Sequence, residues 1–181
     1  MIPFSLRFPA SDIYEHADSY WQMSSREIDR LLENDVILQI GPVIRHQHHL
    51  TLAQLRTLCR WKSPRSQPYV ARNDDAFVQA VTHTSLTTDH DRLRIEVLLL
   101  LAGVQWPTAS VILHFGYDNL YPILDVRALW SAGVDKPESI PHTHALWQAY
   151  TSFCRTTANA AGVTLRTLDR ALWQYARENQ H

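Results

Sequence analysis

The chain has 181 residues, 45% hydrophobic and 19% charged, with a formal net charge of −1. That length suits one domain, or two small lobes, with enough buried surface to fold unaided, and the balance excludes disorder and coiled coil. Cys59 and Cys154 are the only cysteines, too few for a disulfide framework, a cysteine-ligated zinc site or a four-cysteine iron–sulfur cluster.

The opening MIPFSLRFPA lacks the charged and apolar regions of a signal peptide. The longest apolar run, Val97 to Val104, is far shorter than a membrane span. The expectation is therefore a reduced, cytoplasmic setting without a membrane partner. Caps and periodicity then predict a series of helices. One or two occupy Asp12 to Glu33, where Ser24-x-x-Glu27 fits a capping box. Val36 to Ile44 is apolar and β-branched, and reads as a short strand or a buried extended stretch. Thr51 caps a helix to about Trp61, with Leu52, Leu55, Leu58 and Cys59 inward and Arg56 and Arg60 outward. Asn73 or Asp74 starts the next, to about Thr84. Asp89 to Leu101 is the most apolar. Pro107 opens another, since proline fits the first helical position, and Gly116 closes it. Short Asp125 to Ala132 is followed by long, amphipathic Thr143 to Ala161. Thr164 to Arg177 comes last, with Leu165, Leu168, Leu172 and Tyr175 docking on the core. Each of the five glycines, Gly41, Gly103, Gly116, Gly133 and Gly162, ends an apolar-periodic segment, where a left-handed residue is expected.

Charge is unevenly spread. Val36 to Asn73 contains no Asp or Glu, yet holds Arg45, Arg56, Arg60, Lys62, Arg65 and Arg72, with His46, His48 and His49. A local basic segment on a neutral protein suits phosphate, because each neutralised phosphate releases counterions. The bland reading is a solvated face paired with acids elsewhere. His46-x-His48-His49 and His142-x-His144 match no zinc pattern, so no metal and no cofactor are expected.

The segment from Leu98 to Trp130 carries the chemistry. It reads as an apolar helix, a tight turn (Ala102-Gly103-Val104-Gln105-Trp106), a second apolar helix and an extended stretch. That stretch ends in Asp125 at the start of a third helix. A turn leading into a helix N-terminus can hold a phosphate on backbone N–H groups. Asp125 by itself reads as a cap.

Leu-Ala-Gly-Val-Gln-Trp-Pro-Thr-Ala-Ser-x-Ile-Leu resembles the hairpin of the helix-hairpin-helix (HhH-GPD) DNA glycosylases. That family places a catalytic aspartate at a set distance beyond the hairpin, in a Pro-Ile-Leu-Asp or Pro-Val-Asp context. Tyr121-Pro122-Ile123-Leu124-Asp125 stands in that place, with Arg127 where an arginine commonly follows. The match spans Arg92 to Gly133. Two positions depart from it: the usual second glycine is Gln105, whose side chain crowds the approach to phosphate, and the lyase lysine is Pro107, which has no amine.

The resemblance implies an all-α, two-lobed fold forming a single domain over 1–181. One lobe covers about 51–132, with the hairpin at 92–116, and the other 1–50 with 133–181. It implies a monofunctional, monomeric DNA glycosylase of base excision repair, acting on a flipped-out damaged or modified base in the cleft between lobes. Asp125 would stabilise the sugar cation or activate water. Gly103, Gln105, Trp106, Thr108, Lys62, Arg65 and Arg127 would contact DNA, and Trp61, Tyr121 and Trp21 would line the base pocket. His83, His114 and Asp118 are candidates for a general acid; Lys62 is the one alternative amine near the basic segment. The alternatives are a DNA-binding module on the same scaffold without chemistry, favoured by Gln105, and a helical protein-interaction domain.

Overall fold

The computed structural model describes residues 3–23, 27–117 and 120–180, and these are helical with no strand. The helices are α1 (Ile13–Met23), α2 (Glu27–Asp35), α3 (Gly41–Gln47), α4 (Leu52–Lys62), α5 (Gln67–Val70), α6 (Asp75–Thr87), α7 (Asp91–Glu96), α8 (Trp106–Gly116), α9 (Val126–Ser131), α10 (His144–Ala161) and α11 (Leu165–Asn179). No helix among the described residues is long and apolar enough to cross a membrane. The Ser24–Glu27 capping box lies outside the described residues.

The chain divides into two compact units, one of Met1–Ser25 with Tyr121–His181, the other Arg26–Leu120. Both chain ends fall in one unit, with residues 26–50 in the unit of the central helices and 121–132 in that of the termini. The reason is packing. α2 and α3 bury Val36, Ile40 and Ile44 and contact α4 and α8, whereas α9 lies along α11.

In the unit Arg26–Leu120, α8 is the central helix, buried from Thr108 through Phe115. A helix apolar on all sides is stable only when surrounded, and α3, α4 and α7 contact it. Two stretches depart from the expected elements. Val36 to Ile44 is helical: a wide turn at Val36–Ile40, in which the Gly41 N–H bonds to the Val36 carbonyl, leads into α3. Val36, Ile40 and Ile44 are buried at intervals of four, a helical spacing, so burial overrides β-branched composition. The widened turn sits just before Pro42, which has no N–H to donate back along the helix. The predicted helix Asp89 to Leu101 gives way after Glu96 to a 3-10 turn, Val97–Leu100. Leu98 and Leu101 are buried while Leu100 is exposed; the three-residue interval fits the tighter turn.

Most caps fall where the sequence places them, but α7 starts at Asp91 behind a His90 cap rather than at Asp89. Thr51 and Gln54 form a reciprocal capping box on α4, and Asp74, Thr143 and Thr164 cap α6, α10 and α11 through their side chains. Gly103, Gly133 and Gly162 have positive φ, whereas Gly41 and Gly116 lie within helices without it.

Gly103 is doubly constrained. Its φ is +79°, and an added Cβ would lie 2.8 Å from both the Val70 backbone nitrogen and Val70 Cγ2. Asn73 fastens the same turn, donating to the Ala102 carbonyl at 2.9 Å and accepting from the Ala102 N–H at 2.8 Å. Gly103→Ala combines left-handed strain with overpacking and is expected to cost about 2–5 kcal/mol. Urea denaturation measures it; a loss below about 0.5 kcal/mol would show that the turn relaxes freely.

Candidate functional site

In the unit containing both termini, the run Tyr121 to Leu124 is extended and buried, and delivers Asp125 to the start of α9. Asp125 is half-buried. Its Oδ1 accepts a hydrogen bond from the Arg127 N–H at 2.9 Å, capping the helix. The far end of α9 is held as firmly. Ser5 N–H donates to the Ala132 carbonyl at 3.1 Å, Arg7 N–H to the Ser131 carbonyl at 2.9 Å, and Arg7 Nε to the Trp130 carbonyl at 2.6 Å. These donors satisfy carbonyls that a helix C-terminus leaves without intrahelical partners.

Around Asp125 lie groups that the sequence reading missed. Tyr150 on α10 is fully buried, and its phenol is pushed well above the ordinary tyrosine range. Burial is the main cause, and the neighbouring Cys154, hydrogen-bonded to the phenol, and the carboxylates of Asp169 and Asp125 add to it. Two carboxylates from different elements thus act on one phenol that keeps its proton. Asp169 is itself buried on α11 and ion-paired with Arg166, one turn earlier.

A second set of groups joins arginine to aromatic rings in this unit. The Arg127 guanidinium lies 4.7 Å from the Trp173 ring centre, and Arg177 lies 5.6 Å from the same ring. Arg170 lies 4.2 Å from Trp21 and 5.8 Å from Tyr20, and Arg166 lies 5.8 Å from Tyr20. Tyr20 meets both Trp21 and Trp173 edge to face. Stacked guanidinium and indole groups are the side chains that recognise phosphates and exposed bases. Arg166, Arg170, Trp173 and Arg177 recur at four-, three- and four-residue steps along α11. That polar stripe was available in the sequence beside the apolar one.

The expected site residues separate by unit. Asp125, Arg127, Tyr121 and Trp21 fall in the unit of the termini; Gly103, Gln105, Trp106, Thr108, Lys62, Arg65 and Trp61 fall in the other. Tyr121 is not an open pocket wall: its ring stacks on Trp147 at 5.3 Å and carries the Arg155 guanidinium at 4.8 Å. Thr108 is buried within α8, so its side chain is not presented as a phosphate contact. Gln105 and Arg65 are exposed, while Gly103, Trp106 and Lys62 are half-buried. Trp61 is half-buried, edge-on to Phe115 at 5.9 Å. Among the general-acid candidates, His114 is wholly buried in α8, His83 is exposed beside the His48 carbonyl at 3.2 Å, and Asp118 lies outside the described residues.

Within the basic segment, Arg45 is structural: its Nη1 donates to the Phe115 carbonyl at 3.0 Å. The chain matches no protein-family model, no curated protein and no solved structure.

The buried phenol and thiols make a pH prediction. Burial pushes Cys59 up to about 12 and Cys154 higher still, against an ordinary value of 9.0. Below about pH 9 these groups and Tyr150 are protonated in both folded and unfolded chains, and their contribution is whole. Above it the unfolded chain loses protons that the folded chain retains. Stability therefore falls as pH rises, by up to about 1.4 kcal/mol per pH unit for each group. Urea midpoints between about pH 8 and pH 11 follow this, and Tyr150→Phe flattens the part above pH 10. An unchanged slope in Tyr150→Phe would contradict the assignment.

Proposed function

We propose that the protein is a monofunctional DNA glycosylase of the helix-hairpin-helix type, hydrolysing the bond between a damaged or modified base and deoxyribose. The observation that carries this reading is Asp125: a half-buried carboxylate fixed at the end of a buried Tyr-Pro-Ile-Leu run, at the place the family gives its catalytic aspartate. Breaking an N-glycosidic bond builds positive charge on the sugar, and a fixed anion stabilises that charge or orients the attacking water. The base must first leave the stack, at a cost of a few kcal/mol. Tyr20, Trp21, Trp173 and the arginines stacked on them supply the aromatic and cationic groups that such a strand requires. In this reading the protein is a two-lobed monomer acting on DNA in the cytoplasm, and Pro107 in place of an amine leaves an abasic site as the product.

A second reading, a DNA-binding module without chemistry, is favoured by the capping role that Asp125 already fills and by the side chain of Gln105 in the turn. One substitution separates the two. Asn caps helices as well as Asp, so Asp125→Asn keeps α9 and removes only the charge. Base release from oligonucleotides carrying alkylated, deaminated or oxidised bases is expected to fall about 10²-fold or more, with stability within about 0.5 kcal/mol of wild type. Equal turnover in both proteins defeats the catalytic role; salt-dependent binding without base release from any substrate supports the second reading.

A further inference from the structure

The acid-free segment folds so that part of its charge collects in one place. Arg56 and Arg60 stand one turn apart on the exposed side of α4, about 6 Å along the axis. With Ala53, Thr57 and Gln67 they line a groove of about 200 Å³. Gln67 closes one side, its Nε2 donating to the Arg56 carbonyl at 2.8 Å. Both arginines are exposed, and among the described residues no carboxylate is paired with either. Arg65, also exposed, follows in the adjoining 3-10 turn Pro64–Ser66. The other basic side chains nearby are engaged otherwise: Arg45 holds the Phe115 carbonyl, and Arg72 lies over the Tyr69 ring at 5.1 Å.

Two guanidinium forks, a hydroxyl and a carboxamide around a concave surface form a donor set for a tetrahedral oxyanion. The groove lining itself carries only positive charge, and the carboxylate of Asp75 on α6 is engaged by the Leu52 N–H at the start of α4. We infer that the α4 groove binds a phosphate group, held between Arg56 and Arg60 and supplied by the backbone of DNA. The choice of DNA over free phosphate rests on the glycosylase reading; the phosphate chemistry does not.

The test follows the side-chain Nε–H signals of Arg56 and Arg60 by NMR on the full chain, titrated separately with a duplex oligonucleotide and with inorganic phosphate. Shifts of both signals with duplex are expected. Shifts with inorganic phosphate alone keep the phosphate site and remove DNA as its source. No shift with either probe overturns the site. Fluorescence anisotropy gives a second measure: Arg56→Ala/Arg60→Ala is expected to weaken duplex binding about tenfold and to lower the salt slope by about one to two. Arg92→Ala and Lys136→Ala, which remove exposed charge outside the groove and outside the acid-free segment, are expected to stay within about twofold. Equal losses in those controls would assign the binding to general charge and overturn the groove. Asp125→Asn separates this from the catalytic proposal, because it is expected to lose base release while duplex affinity and the Arg56 and Arg60 shifts persist.

Discussion

One hydrogen bond, from the Arg127 N–H to Asp125 Oδ1, sets what the unit of the two termini can do. A helix as short as α9 does not form alone, because nucleation outweighs the few bonds it gains. It stands because Asp125 holds one end and the Ser5 and Arg7 donors hold the other. The carboxylate is therefore positioned by the fold itself, as the glycosylase proposal would require of a fixed anion. Capping and chemistry are compatible in principle. An ionised carboxylate has two oxygens and about four acceptor positions, and the cap engages one oxygen.

The other unit depends on a different fastening. The turn before α8 survives because Gly103 has no side chain to meet Val70, and because the Asn73 amide pairs with both backbone groups of Ala102. The same solution narrows what the turn can offer an anion. The N–H groups of Ala102 and Val104 are spent inside the fold, the latter on the Leu101 carbonyl at 3.0 Å, and Pro107 has none. On the phosphate proposal, side-chain donors would then matter more than these backbone donors. The cationic groove on α4 lies in this same unit.

Much of the helical framework was legible because caps are local. Thr51, Asp74, Asp125, Thr143 and Thr164 announce their helices through side chains that act within three residues. What failed was non-local. Val36 to Ile44 has strand composition, and only the placement of Val36, Ile40 and Ile44 against neighbouring helices makes it helical. The break at Val97 arises from which leucines find partners. Asp125 was legible as the cap of α9, because aspartate is a favoured cap and the bond is local. Tyr150 and Asp169 were not, because three separate elements must meet before two carboxylates act on one phenol. Tyr121 and Thr108 went the other way: a side chain that suits a ligand in the sequence is taken up by packing in the fold.

The arginine and aromatic groups beside α9 bear on how an anion can be kept and used there. Arg127 places the face of its guanidinium over Trp173, and its backbone N–H caps Asp125. Face contact engages the π surface and leaves the in-plane N–H groups, which are the part that reads phosphate. Asp169 is buried and paired with Arg166, so its charge is balanced within the fold. Asp125 is partly exposed and accepts a backbone amide, and on the glycosylase proposal it is the carboxylate that would meet a developing cation.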